Sequence, residues 1–389
     1  MKNITINPQR IEYMMELFDF SRNTLLESIS KGLKNPIVDQ EIFSAQIKES
    51  HLKKIDKIFD KGLSFYTNTA PIKKNKKGSI FFRKESFNSE LSLGDREIVN
   101  KMENRMRSLS ALCALSNYAQ KRELNKYKVS DEPRDVAYKI RKSLYPDEYA
   151  IKDRDFLNKL IQSFASQNIL VIEFVEAWNK KNKTTLDGFF IAPNAITIKR
   201  NQKSFKREIF TLAHELGHYL LDKEELDSLF SGELNTRSTS STKNTVERWC
   251  DAFSFFFLAG KETTQRIEGI PKNLLTYENE EILQISRTKH ISRLALFTYL
   301  ATTNKIDWEE YSDIKKKLGK EYRIRQEEEK QKRELEKEGG NPSPARMPKP
   351  IVSPLEKSIY TSAFYEGVVE EYDLFSHFEK KTAEEIIYG

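Results

Sequence analysis

Two histidines four residues apart, in the segment TLAHELGHYL at 211 to 220, constrain this chain more than any other feature. The surrounding run FKREIFTLAHELGHYLLDKEEL has apolar residues at helical spacing, which predicts a helix with the motif at its middle. Residues at positions i and i+4 project from the same helical face, one turn apart. His214 and His218 can therefore both reach one metal ion.

The carboxylates near this pair predict the rest of the site. Glu215 follows the first histidine, and its carboxylate can reach a water on the metal without being a ligand, which makes it the candidate general base. A catalytic zinc site needs three protein ligands and one open position. Glu247 and Asp251, also four residues apart, lie beside the apolar run WCDAFSFFFLAG, where uncompensated charge would be costly. We expect Glu247 to be the third ligand and Asp251 to accept the spare N–H of His214.

Two alternatives stay open at this point. A bare H-E-x-x-H motif also occurs by chance in unrelated helices, although the helical context and the second carboxylate pair favour a metal site. His290, in RTKHISRLALF, either faces the site or caps a helix. His51 and His377 lie in polar helical stretches and are expected at the surface.

The strands before the motif predict how a substrate is held. NILVIEFVEA is typical of a buried strand, and DGFFIAPNAITIKRN is typical of a hairpin whose second strand, AITIKRN, is expected at a sheet edge. An edge strand can pair its backbone with an extended peptide, which favours an endopeptidase over a small-molecule hydrolase. A plain structural hairpin is the alternative.

Composition limits the class of protein. The 389 residues are 32% charged and 38% apolar, without an apolar run near bilayer length or a secretory signal, so we expect a soluble, cytoplasmic, multidomain protein with no membrane partner. Cys113 and Cys250 lie in apolar helical surroundings, which predicts buried, inert thiols. The net charge of +7 permits nucleic-acid contact, but 65 basic residues against 58 acidic ones make a mixed surface.

The run FTLAHELGHYLL, the upstream hairpin and VERWCDAFSFFFL resemble the ImmA/IrrE metallo-endopeptidases, whose second helix carries an E-x-x-A-[ND]-x-F-A pattern. The resemblance covers residues 130 to 315 and the final helices. It implies a zincin-like fold, a Zn²⁺ cofactor, Glu215 as catalytic base, and a ligand set of His214, His218 and Glu247. Cys250 and Ser254 stand where the family usually has alanine, and LAGKE replaces its usual LMP ending.

The family resemblance also implies partners. Members carry or accompany an XRE-type helix-turn-helix and cleave a repressor or antitoxin that controls genes of mobile elements, stress responses or defence. The N-terminal block here resembles a degenerate version of that helix-turn-helix. No segment has a clear recognition helix with several base-reading side chains, so DNA contact, protein docking and autoinhibition all stay open for this region.

We therefore expect an α+β fold, with a mainly helical N-terminal domain and a zincin-like metallopeptidase domain. The predicted function is a zinc endopeptidase that makes limited cuts in a partner protein. The alternative is a DNA-binding regulator, or a non-proteolytic toxin–antitoxin component, in which the peptidase fold senses a metal or partner.

The predicted parts are a helical region (1–70), a linker and connecting block (71–129), the peptidase domain (130–315), a charged helix and linker (316–350) and a C-terminal helical segment (351–389). The polar stretch 227–244 is expected to be a mobile flap.

Overall fold

A computed structural model describes residues 3–18, 20–59, 61–72, 92–146, 152–176, 183–200, 202, 204–224, 245–338 and 348–389. The chain forms two compact units. The first consists mainly of Met1–Ser110, and the second contains Ala111–Lys180, Leu186–Glu225 and Leu229–Gly389. The predicted flap at 227–244 lies outside the described residues. The boundaries predicted from the sequence remain predictions.

The first unit is helical, as the periodicity predicts. Its helices are α1 (Pro8–Phe18), α2 (Arg22–Ser30), α3 (Glu49–Phe59), α4 (Leu63–Thr67) and the start of α5 (Leu93–Leu115). Ser21 caps α2 by accepting a hydrogen bond from the Thr24 backbone N–H, as its residue type predicts. A short antiparallel pair, β1 (Asn3–Thr5) with β2 (Gln46–Lys48), was not expected. The likeness of this unit to a helix-turn-helix remains a prediction.

The second unit contains a three-stranded mixed sheet. Its strands are β3 (Leu170–Val175), β4 (Gly188–Ile191) and β5 (Ala195–Arg200), in the order β3-β5-β4. β4 and β5 form the predicted antiparallel hairpin, and β3 runs parallel to β5. With helices α6 (Pro133–Leu144) and α7 (Asp153–Ala165) in the same unit, the predicted α+β class is confirmed.

The position expected for AITIKRN was wrong. Residues Ala195–Arg200 of this segment form β5, which lies at the centre of the sheet because β3 pairs with the side that the hairpin leaves open. Ile196 and Ile198 are both fully buried, as expected for a strand flanked on both sides. The outer strand of the hairpin is β4.

Two helices follow the sheet and carry the motif residues. Helix α8 (Phe205–Leu221) packs against β4, β5 and helix α9 (Thr245–Gly269).

The segment LAGKE does not end α9. Gly260 adopts φ +73° and kinks the helix, and the Arg141 side chain donates to the carbonyls of Phe257 and Leu258 just before the kink. Only glycine adopts this backbone conformation readily.

The remaining helices complete the second unit. They are α10 (Glu280–Thr288), α11 (Arg293–Thr302), α12 (Trp308–Glu338), α13 (Pro354–Tyr365), α14 (Glu371–His377) and α15 (Lys380–Tyr388). Before α13 the chain returns to the sheet, where the Ile351 backbone N–H donates to Glu173 Oε2 on β3 at 2.6 Å. Within the described residues, the helices are too short or too polar to cross a bilayer.

Candidate metal centre

Helix α8 is buried along almost its whole length. Ser204 caps its start by accepting a hydrogen bond from the Arg207 backbone N–H, and Asp222 ends it in a left-handed conformation with φ 52°. Every residue from Thr211 to Leu221 is buried. The polar side chains of His214, Glu215 and His218 therefore lie in the protein interior, where each needs a partner to offset the loss of water.

Three of the predicted site residues converge on one point. His214 Nε2 lies 3.1 Å from His218 Nε2 and 3.1 Å from Glu247 Oε2. His218 Nε2 lies 3.1 Å from the other carboxylate oxygen, Glu247 Oε1. The i, i+4 spacing brings the two histidines together on α8, and the packing of α9 against α8 brings Glu247 to them.

These spacings fit a small divalent cation. Zinc with tetrahedral bonds of about 2.0 to 2.1 Å holds its ligand atoms about 3.3 Å from one another, close to the observed 3.1 Å. The donor set is also the right one, because imidazole and carboxylate are both zinc ligands. Glu215 Oε2 is buried next to this cluster without a hydrogen-bond partner among the described residues. His214, His218 and Glu247 are therefore suited to hold a metal, with Glu215 beside it.

Asp251 lies behind the first histidine. Its Oδ1 is 3.1 Å from His214 Nδ1, on the side of the ring that faces away from the cluster. A carboxylate there accepts the Nδ1 proton and leaves the lone pair of Nε2 facing Glu247 and His218. The spacing of 247 and 251, four residues apart on α9, thus serves two different roles: one carboxylate reaches the centre and the other orients a ring.

The charges of the cluster depend on one another. Burial alone would lower the pKa of His214, but hydrogen bonding to Asp251 and Glu247 raises it well above its ordinary value. The same holds for the pKa of His218, where burial is outweighed by Cys250 and Glu247. Burial opposes ionisation of Glu247, yet the two histidines keep its pKa well below the usual range. The centre therefore holds an ionised carboxylate and ring nitrogens with high proton affinity, and groups that attract a proton this strongly also suit a metal cation.

The comparison with protein families agrees with this arrangement. Residues 166–262 match the family model Peptidase_M78, described as the IrrE N-terminal-like domain. This segment is an M78 metallopeptidase domain. The resemblance to the ImmA/IrrE family is confirmed for this part of the chain, and the family has the predicted zincin-like fold. A comparison with curated proteins finds no match.

Glu215 of the M78 domain lies between α8 and the outer strand β4. Burial raises the pKa of its carboxyl to about 7, against the effect of the two histidines and of a hydrogen bond from the Phe190 backbone N–H. Gly188 makes this approach possible, because a Cβ there would lie 2.6 Å from Thr211 Cγ2 and 3.2 Å from Glu215 Cγ. A carboxyl group with this pKa can accept and return a proton near neutral pH.

Cys250 was missed by sequence reasoning. It was expected to be an inert buried thiol, and it is indeed buried, with burial raising the pKa of the thiol. The structure also places it in the site: a ligand atom of each of His214, His218 and Cys250 lies within 4.8 Å of the other two. The available signal was its spacing, since residue 250 follows Glu247 by three and therefore shares its helix face.

The described contacts of His290 are with residues of α7 and not with His214 or His218. His290 is buried, its Nδ1 is 2.7 Å from Asp153 Oδ1, and its ring stacks on Phe156 at the start of α7. The residue has φ +57° between α10 and α11. Of the two alternatives for this residue, the contacts favour a structural role at the start of α7.

His51 and His377 were expected at the surface, but both are half-buried, and His377 Nε2 lies 3.0 Å from Glu356 Oε1.

Proposed function

We propose that this protein is a zinc-dependent endopeptidase that makes limited cuts in a partner protein. The observation that carries the proposal is the cluster of His214, His218 and Glu247 with Glu215 buried beside it. Two imidazoles and a carboxylate form the three-ligand set of a catalytic zinc site. The M78 match supports the peptidase reaction.

Each residue has a distinct role in this proposal. His214, His218 and Glu247 hold the zinc, which supplies the Lewis acidity that polarises the scissile carbonyl and lowers the pKa of water. Glu215 accepts the proton of the attacking water and passes it to the leaving amine. Asp251 keeps the His214 ring in the orientation that presents Nε2.

The outer strand β4 is the proposed place for an extended peptide. Asp187 O accepts a hydrogen bond from Lys199 N, so alternate residues from Asp187 onward direct their backbone groups to β5. Gly188 and Phe190 therefore direct theirs to the opposite edge, where the Phe190 N–H already meets Glu215. A peptide pairing along this edge would lie beside the general base, and its backbone would be bound without strong side-chain selectivity.

A repressor or antitoxin is the proposed substrate class. The support is the ImmA/IrrE resemblance, together with the M78 match. In this reading the helical N-terminal unit docks a partner or contacts DNA. Control of mobile-element, stress or defence genes would then follow from removal of the cleaved protein.

The decisive experiment compares new protein N-termini in host cells that express the wild type or Glu215→Gln, with and without DNA damage or phage challenge. The amide of the variant cannot accept the proton of water, so a cut in one repressor-like protein should appear only with the wild type. The zinc content of the purified variant is the control and should equal that of the wild type. An identical set of N-termini under all conditions would contradict the proposal and favour a sensing or binding role.

A further inference from the structure

The thiol of Cys250 lies between the two helices that form the metal centre. It is 0% exposed, and a ligand atom of each of Cys250, His214 and His218 lies within 4.8 Å of the other two. The chain has only one other cysteine, Cys113. Cys250 is therefore not an isolated buried thiol but a member of a cluster of donor atoms.

The packing of α8 against α9 makes room for this sulfur. Gly217 precedes His218 on α8, and a Cβ at Gly217 would lie 3.0 Å from Cys250 Sγ. Because glycine has no side chain, Sγ occupies that space and lies next to the His218 ring. The two side chains share a hydrogen bond, so the sulfur contacts a residue of the metal centre directly.

The distances allow the sulfur to act as a ligand after a small movement. With bonds of about 2.3 Å to sulfur and 2.0 to 2.1 Å to nitrogen, a tetrahedral site holds the two atoms about 3.6 Å apart. Because these donor atoms lie no more than 4.8 Å apart, an approach of at most about 1 Å is needed, which a rotation about the Cα–Cβ bond of cysteine can supply. Zinc binds thiolates readily, and structural zinc sites commonly use them to complete four-coordination.

We propose that Cys250 is a fourth protein ligand, so that the resting centre is a closed site of two histidines, one glutamate and one cysteine. This proposal rests on the metal site of the proposed function. The thiolate occupies the position that a catalytic site keeps open for water. The closed form therefore holds the metal tightly and restrains cleavage until Cys250 moves away from it.

Cobalt(II) provides the test, because it takes tetrahedral sites like those of zinc and reports its ligands in the absorption spectrum. Cobalt would be titrated into the metal-free full-length chain and into Cys250→Ser, Cys250→Ala and Cys113→Ser. We expect an intense near-ultraviolet thiolate-to-cobalt charge-transfer band in the wild type and in Cys113→Ser. Both Cys250 variants should lack it while keeping the visible bands of bound cobalt.

A wild-type spectrum with visible cobalt bands but no charge-transfer band would overturn the ligand role of Cys250 and leave the proposed peptidase centre intact. Failure of the wild type to bind cobalt or zinc would contradict the centre itself, so the two failures are distinguishable. Circular dichroism of the variants checks that they fold, and Cys250→Ser keeps nearly the size of the native side chain. Competition with a chelator gives a second readout: loss of a ligand should weaken zinc binding at least about 10-fold in both Cys250 variants.

Discussion

Gly217 of α8 lies directly against Cys250 of α9. A Cβ built at Gly217 would be 3.0 Å from Cys250 Sγ, 3.1 Å from its Cβ and 3.2 Å from its Cα. Two of these neighbours belong to the base of the cysteine and not to the tip of a flexible side chain, so the contact can be relieved only by moving a helix. The distance between His218 and Glu247 therefore depends on the absence of a side chain at 217.

Gly217→Ala is expected to destabilise the fold and weaken metal binding. In an exposed helix the change would stabilise by about 1 kcal/mol, because alanine is the better helix former. Here the added methyl overpacks the interface, which typically costs about 1 to 3 kcal/mol and outweighs the propensity gain. Urea unfolding and zinc affinity measure the two effects.

Gly319→Ala is the matched control. Gly319 lies inside α12 with nothing within 4 Å of a built Cβ, so the substitution should leave zinc binding unchanged and stabilise its helix slightly. Similar stability changes for the two variants would mean that the interface at Gly217 adjusts without cost.

Glu247→Ala should abolish stoichiometric zinc binding. The substitution removes the only carboxylate that contacts both histidines in the described residues, and the two imidazoles with the Cys250 sulfur should bind zinc too weakly to retain it through dialysis. Metal analysis after dialysis measures the loss. Glu262→Ala, on the exposed side of the same helix, is the control and should retain the metal content of the wild type. Equal zinc in both variants would remove Glu247 from the ligand set.

Asp251→Ala should weaken zinc binding by about 10- to 100-fold, the usual cost of losing the partner that orients a ligating histidine. Asp251→Asn keeps a hydrogen-bond acceptor for His214 Nδ1 and should lose less. Competition with a chelator ranks the variants. If alanine and asparagine behave alike, the orienting hydrogen bond is not the source of the effect.

Glu173 should make the stability of the second unit depend on pH. Burial raises the pKa of its carboxyl to about 7 from an ordinary value of 4.5, against the hydrogen bond from the Ile351 N–H and the charge of Arg200. The folded state therefore holds this proton more tightly than the unfolded state. Its stabilising contribution is present below pH 4.5 and is lost as the pH rises to about 7, by up to about 3 kcal/mol.

Glu173→Gln tests this linkage, because the amide stays neutral and its oxygen can still accept from Ile351. Its free energy of unfolding should fall less than that of the wild type between about pH 5 and pH 8, as measured by denaturant titration at each pH. Glu371→Gln, at an exposed position, is the control. Parallel curves for the wild type and Glu173→Gln would show that the carboxyl is already ionised at low pH.

Local pattern was sufficient for the elements that carry the site. The i, i+4 spacing of His214 and His218 predicted that two imidazoles would share one helix face, and the structure has them 3.1 Å apart. The spacing of Glu247 and Asp251 predicted two carboxylates on one face of a second helix. These relationships depend on helix geometry within one segment, which the sequence alone specifies.

The order of the sheet could not be obtained in the same way. AITIKRN ends in polar and basic residues and so resembled an edge strand, but β3, which lies 25 residues earlier in the chain, pairs with it and places it at the centre. Arg200, at the end of β5, is buried because its guanidinium pairs with the Glu208 carboxylate of α8 at 2.5 Å. The pattern of a single strand does not reveal an ion pair with another segment.

By itself the sequence determined the helices, the hairpin, and the residues that one helical turn brings together, because each depends on neighbours in the chain. Only the tertiary structure decided that β4 lies over Glu215 and that Cys250 occupies the space beside Gly217. Those contacts depend on how α8 meets α9 and the sheet. That packing is set by the shapes and volumes of many side chains at once, so no local pattern records it.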